Sequence, residues 1–432
     1  MIYSIKSLIS PFTNNVFKKT LSKVSFSDVR KNSIPKEYLE HFHNKKSLLH
    51  LFSNTLFKKT HKPSEIYYIV GTETAKTIAS IVNNSSDSER PIIEVNPGLG
   101  TLTHFLLKAE RTGINLKLIE GNEILHKHLH KLYGNRITCL HNDFCNMWKF
   151  VYLDNGERFS SIMKLLPKQD WKDKPPSKII VSSGSLMFYK HLMTSVLTNT
   201  SIFSSGRHEI FAVMPPILYF LLTSTNQIGY GLYRSTSVLF QILFEFEFIT
   251  KLDRKDFLPW PSKQIIKKHI KYRELKQIDT DSLYFVKIVP RKKLFDCCPQ
   301  KQMNQLTFFV NQNFTSRKNR VIPALERYIP NAGKEMILSN LTEDKAKILH
   351  RNENLPNFCA QSVEISNTDF YPDLNIFTEF GDLTPNQILT LFTIFKNFDG
   401  FQDSAFISNM QLYMKEQMMP IDETVCDNIE IK

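Results

Sequence analysis

The chain has 432 residues, 42% of them apolar, with 55 Lys or Arg against 42 Asp or Glu, a formal charge of +13 and a pI near 9.2. That apolar content excludes a disordered polyelectrolyte, and the lack of any run of roughly eighteen apolar residues argues against a spanning helix. The basic excess favours a polyanion or an acidic membrane surface as partner, a statement about encounter rather than fold.

Residues 1–27 hold no Asp or Glu but carry Lys6, Lys18, Lys19 and Lys23 among Ser, Thr, Leu, Ile and Phe. This is the composition of a matrix-targeting presequence, taken as residues 1–30; a basic, disordered start that suits nucleic acid is the alternative. Residues 34–60 read as a basic helix with Leu39, Phe42, Leu48, Leu49, Phe52, Leu56 and Phe57 on its apolar face. Tyr67 to Val70 is a short apolar segment, and Ala75, Ile78, Ala79 and Val82 recur at helical spacing.

The stretch IIEVNPGLGTLT, Ile92 to Thr103, reads as a buried strand, a glycine turn and the first turn of a helix. Such a turn lets a small ligand approach the backbone in front of helix amides. It is neither a phosphate-cradling P-loop nor the full G-x-G-x-x-G pattern. Glu94, inside the strand, would repel a pyrophosphate but suit a cation, which favours S-adenosylmethionine over a nicotinamide dinucleotide.

Further elements follow in alternation. Helix 101–109, strand 115–119, helix 123–133 with Leu125, Leu129 and Leu132 inside, and strand 137–140 predict a parallel sheet covered on both faces. Its ligand should lie beyond the strands' C-terminal ends. Glu120 follows the second strand, placed to take both hydroxyls of a ribose, and Asp143 follows the third, placed for an adenine amino group. The competing readings are a helix cap for Glu120 and a turn closure for Asp143. Residues 154–178 read as a polar surface insertion; Lys178 to Ser182 is a fourth strand, 188–197 a helix and 209–214 a strand. A helix begins at Ile217, Ser235 to Phe248 is a helix giving way to a strand, and 282–289 is a further strand. From Pro299 the pattern is helical, marking a second domain.

Between Lys251 and Lys293 stand thirteen Lys or Arg against five acids, and Arg317, Lys318, Arg320 and Arg327 follow. A solvated face is the plain explanation; a nucleic-acid surface, with Lys267, Lys268, Lys271, Arg273, Arg317, Lys318 and Arg320 on phosphates, is preferred. Phe257 and Trp260 interleave with it and could stack on unpaired bases. Cys139, Cys145, Cys297, Cys298, Cys359 and Cys426 show neither metal spacing nor a secreted disulfide pattern, so no metal is expected. Thirty-three Phe against fourteen Gly imply a helix-rich core with exposed aromatics to spare.

These segments resemble the ribosomal RNA adenine dimethyltransferase family and, within it, the mitochondrial transcription factor B group. IIEVNPGLGTLT resembles the first motif, with Asn96 for its first glycine; LIEGNEILHKHL and HNDF resemble the second and third; Phe257, Pro259 and Pro261 match F-x-P-x-P. The resemblance implies a Rossmann-like class I methyltransferase domain at 31–294, a small helical domain at 295–415 and an acidic tail at 416–432. It also implies an S-adenosylmethionine pocket of Ile69, Glu94, Asn96, Gly98, Gly100, Glu120 and Asp143. Active members grip the target adenine with an N-L-P-Y motif after strand four. Here Ser183, Gly184, Ser185 and Leu186 stand in that place, so Ser183 and Leu186 occupy degenerate catalytic positions, with Phe188 or Tyr189 as substitutes for the missing ring. The entry motif K-x-x-G-Q-x-F is replaced by PSEIYYIV, Pro63 to Val70.

The expectation is therefore a monomeric initiation factor of the mitochondrial matrix nucleoid, without membrane insertion. Its expected partners are mitochondrial RNA polymerase and melted promoter DNA. The alternative is an N6-adenine dimethyltransferase of mitochondrial small-subunit ribosomal RNA; a third reading is a nonspecific RNA-binding protein.

Overall fold

The computed structural model describes residues 43–57, 64–84, 90–108, 115–153, 156–260, 278–279, 281–339 and 362–418. The presequence, Lys267, Lys268, Lys271, Arg273 and nearly all of the acidic tail lie outside them.

Seven strands form the central sheet: β1 Ile92–Val95, β2 Leu116–Glu120, β3 Thr138–His141, β4 Lys178–Ser182, β5 Glu209–Met214, β6 Phe244–Asp253 and β7 Ser282–Pro290. Their order is β3-β2-β1-β4-β5-β7-β6. The first five run parallel, while β7 pairs antiparallel with both β5 and β6. β1, β4 and β5 are buried at every position and rich in Ile and Val, as strands covered on both faces must be. Edge strand β6 instead buries Phe244 and Phe246 and exposes Glu245 and Glu247.

Helices α1 Thr72–Asn84, α2 Thr101–Lys108 and α3 Glu123–Tyr133 flank the first strands. α1 buries Ala75, Ile78, Ala79 and Val82, the expected stripe. In α3 the side chain of Asn122 accepts from the amides of Ile124 and Leu125, and the Gly134 amide, at positive φ, donates to the His130 carbonyl at the other end. Leu125 and Leu129 are buried, but Leu132, expected inside, is 53% exposed: it lies off the stripe that faces the sheet.

Three further expectations are corrected. The segment read as one helix over 34–60 forms two 3-10 stretches, His43–Leu51 and Asn54–Phe57, where described. The region read as a surface insertion contains helix α5, Glu157–Leu165, after α4, Met147–Leu153; Ile162 of α5 is fully buried and the Leu165 carbonyl accepts from Lys117 Nζ at 2.6 Å. The aromatics are mostly core: among the described residues, Phe370 and Phe377 are the exposed phenylalanines.

Next come α6 Leu186–Thr198, α7 Pro216–Thr223 and α8 Ser235–Leu243, then α9 Met303–Asn313, α10 Val321–Glu326, α11 Ala332–Ser339, α12 Pro385–Phe395 and α13 Ala405–Met418. The C-terminal helices share the sheet's core, since one apolar cluster runs from Ile93 through Tyr233 to Phe309, Phe392 and Phe406. Tyr233 Oη donates to the Leu383 carbonyl at 2.9 Å, and Asn226 Nδ2 to the Asp382 carbonyl at 2.7 Å. The expected boundary near 294 separates sheet from helices in sequence, but their packing is continuous.

Candidate cofactor pocket and catalytic loop

Between β1 and α2 the backbone turns through three left-handed residues, Asn96 (φ 53°), Gly98 (φ 61°) and Gly100 (φ 73°). Glycine takes this region freely and Asn tolerates it, which is how Asn96 replaces a glycine without breaking the turn. The Asn96 amide donates to the Ile119 carbonyl at 2.8 Å, tying the turn to β2.

Glu120, the last residue of β2, is fully buried. Its Oε2 accepts from the Gly98 amide at 3.0 Å and its Oε1 from the Asn122 amide at 2.8 Å. Burial pushes this carboxyl up to about 7, against the pull of those amides. Asp143 is half-buried; it accepts from the backbone amide of Asn146 at 3.2 Å and from its Nδ2 at 2.8 Å, so it also closes the turn Phe144–Asn146. Glu94, read from sequence as facing a cationic ligand, is 2% exposed within β1. Its Oε2 accepts from Thr103 Oγ1 at 2.7 Å, and burial pushes it up to about 8; it joins β1 to α2.

Ile69, expected in the pocket, points the other way. Tyr67 and Ile69 pack into the cluster with Ile78, Phe257 and Phe285, whereas Tyr68 and Val70 join Leu99 of the glycine turn, Leu125 and Leu258. Strand alternation thus brings Tyr68, not Ile69, to the site. A Cβ on Gly98 would lie 2.9 Å from Tyr68 Cδ1, and one on Gly100 2.8 Å from Tyr133 Oη. The Tyr68 hydroxyl is raised well above its ordinary value, first by burial and then by Glu120, Asp143 and Cys145. Cys145, also missed from sequence, accepts from Asn96 Nδ2 at 3.7 Å, and burial pushes its thiol up.

Ser183 follows β4, and its polar atoms are all engaged. The amide donates to the Val213 carbonyl at 3.0 Å; Oγ donates to the Glu65 carbonyl at 2.9 Å and accepts from the Ser185 amide at 3.2 Å; the carbonyl accepts from Tyr189 Oη at 3.4 Å. Leu186 is half-buried at the start of α6. Phe188 and Tyr189, held as possible replacement rings, are 1% and 0% exposed and belong to the core. Their place on α6 faces the sheet, so neither can present a face to a base.

The segment Ser64 to Gly71 straps this loop down. Tyr67 N donates to the Ser182 carbonyl at 3.1 Å, Gly184 N to the Glu65 carbonyl at 3.1 Å, and Val70 N to the Asp256 carbonyl at 2.9 Å. Tyr68 and Ile69 pair antiparallel with Leu258 and Phe257. The Arg254 guanidinium lies 4.7 Å above the Tyr67 ring, and its NH1 donates to the Phe257 carbonyl at 2.8 Å. A side chain at position 184 would collide with the Ser64 carbonyl and the Tyr67 hydroxyl, so the strap's approach requires Gly184. The Leu258–Pro259 bond is cis.

Of the basic candidates that are described, Arg317 serves the interior: its guanidinium stacks 4.5 Å from the Tyr230 ring and bonds that residue's carbonyl. Lys318 and Arg320 are exposed, and Arg320 lies 5.3 Å from the ring of exposed Phe377. Among the described residues no group of three or more His, Cys, Asp or Glu is placed to hold a metal, and no helix is long and apolar enough to cross a membrane.

A parallel five-strand sheet closed by an antiparallel β7-β6 pair, with a glycine turn after β1 and an acid at the end of β2, defines a class I methyltransferase fold. The model of the ribosomal RNA adenine dimethylase family matches residues 57–355. Dimethyladenosine transferase 2, mitochondrial, of Drosophila melanogaster is 36% identical over 371 residues, 83% of this chain and 82% of the relative. The chain belongs to the ribosomal RNA adenine dimethylase family. Among solved structures, a putative RNA methyltransferase from Pyrococcus horikoshii (11% identical, covering 57% of this chain and 97% of its own) has a TM-score of 0.27. The plantazolicin methyltransferase BamL (13% identical, covering 60% of this chain and 99% of its own) has a TM-score of 0.28.

Proposed function

We propose that this chain is a mitochondrial transcription initiation factor that holds unpaired promoter DNA for mitochondrial RNA polymerase, on a methyltransferase fold whose own chemistry is weak or lost. The observation that carries this reading is the Ser183–Leu186 loop. Methylating an exocyclic amine requires acceptors that aim it and a ring that grips the flipped base. Ser183 spends its groups on Glu65, Ser185, Val213 and Tyr189, Leu186 has no ring, and Phe188 and Tyr189 are core. Resemblance to the B2 branch of the mitochondrial transcription factor B group points the same way. The net charge of +13, the exposed Lys318, and the exposed Arg320 beside Phe377 suit phosphates and unpaired bases. Placement in the mitochondrial matrix rests on the composition of residues 1–30 and on the fly relative's name.

The second reading, N6-adenine dimethylation of mitochondrial small-subunit ribosomal RNA, is favoured by that relative's name and by the pocket's donor set. Asn96 Oδ1 is buried without a hydrogen-bond partner, and Glu120 is held in place by two amides. This set fits S-adenosylmethionine, with Glu120 for the ribose, Asp143 for the adenine and Asn96, Gly98 and Gly100 along the turn. The bound cofactor would supply an electrophilic methyl group. The two readings separate in one assay: with S-adenosylmethionine and an RNA hairpin bearing unpaired adenines, transfer should stay near background. Robust transfer abolished by Glu120→Ala would overturn the first reading in favour of the second.

A further inference from the structure

We infer that Tyr68 sets how well this pocket accepts an adenosyl ligand: its ring holds the space against Gly98 beside Glu120, so that a docked Tyr68 and a bound ligand exclude one another. This rests on the reading of the glycine turn, Glu120 and Asp143 as an adenosyl pocket.

The steric argument begins at Gly98. A glycine in a ligand-binding turn leaves its α-carbon face bare so that a ligand can come close. Here that face is covered by Tyr68, whose Cδ1 stands 2.9 Å from where a Cβ would be. The amide of the same glycine holds Glu120, the acid read as the ribose ligand, so the covered face and the ribose acid share one peptide. The ring is also gripped from behind: Tyr68 is 7% exposed and its ring centroid lies 5.3 Å from that of Phe52. Its backbone is pinned on both sides, by pairing with Leu258 and by the bonds of Tyr67 and Val70 to Ser182 and Asp256. The electrostatics agree in direction, because Glu120 and Asp143 both act on the Tyr68 hydroxyl. The carboxylates that would hold ribose and adenine are thus close enough to the tyrosine hydroxyl to raise it. A ligand must first displace the ring, and its apparent affinity falls by the fraction of molecules in which the ring is docked.

The test uses the full-length chain and S-adenosylhomocysteine, with affinity read by titration calorimetry and folding by the thermal midpoint without ligand. Tyr68→Ala should bind at least about tenfold tighter than the wild type, while Tyr68→Phe, which keeps the ring, should bind like the wild type. Tyr68→Leu, better suited to a strand than Ala, should also gain affinity and serves if Tyr68→Ala does not fold. Glu120→Ala should weaken binding in every background. If folded Tyr68→Ala and Tyr68→Leu bind no tighter than the wild type, or bind more weakly, while Glu120→Ala still weakens binding, the inference falls and the pocket stands. A gain in Tyr68→Phe would assign the effect to the hydroxyl and overturn the role of the ring. No binding by any variant at about 1 mM would overturn the adenosyl pocket itself, and the inference with it.

Discussion

Glu94 and Glu120 are buried carboxyls held by the Thr103 hydroxyl and by backbone amides, those of Gly98 and Asn122 among them, with no cation among the partners described for them. Burial raises them from 4.5 to about 8 and about 7. The native state therefore keeps protons that the unfolded chain releases above about pH 4.5. Their contribution to stability is full below that pH and is lost as pH rises through 7 and 8. Glu94→Gln keeps an acceptor for Thr103 and removes the ionisation. Chemical denaturation at pH 5 and pH 8.5 should show the wild type losing on the order of 2 kcal/mol more than the variant across that interval. Parallel pH profiles would contradict this. At this scale the sequence locates Glu120 and Asp143 correctly at the ends of parallel strands, where the structure also has them. Tyr68 was hidden: YYIV shows an apolar run, and only the pairing with Leu258 decides which alternate side chains face the turn.

The strap and the Ser183–Leu186 loop depend on each other through Gly184, where the family carries Leu or Ile. Gly184→Leu should push the strap off the loop, with a loss of about 1–3 kcal/mol from overpacking and faster proteolysis within residues 64–70. Unchanged stability and cleavage would show that the strap yields without cost. Most elements were legible, since β1, β4 and β5 are built mainly of apolar residues, with Glu94, Lys178, Ser182 and Glu209 as the polar exceptions, and α1 and α3 keep helical periods. The failures share a cause: Ile162 in a polar stretch, or Phe188 and Tyr189 beside a catalytic motif, owe their burial to distant elements that no local pattern reveals.

Over the whole molecule, the C-terminal helices complete the sheet's core, and Tyr233 Oη bonds the Leu383 carbonyl across the join. Tyr233→Phe leaves that buried carbonyl without this donor and should lower stability by about 1 kcal/mol in a single cooperative transition. Two separate transitions would contradict a shared core. The basic surface makes a second claim at this scale: neutralising Lys267, Lys268, Lys271 and Arg273 together, or Lys318 and Arg320 together, should weaken nucleic-acid binding and flatten its salt dependence. An unchanged slope in both variants would move the binding face elsewhere.

The most direct measurement compares run-off transcription by mitochondrial RNA polymerase on matched closed and pre-melted promoter templates, with and without this chain and with no S-adenosylmethionine present. Output should depend strongly on the chain for closed templates and much more weakly once the strands are already apart. Equal output on closed templates with and without the chain would contradict it.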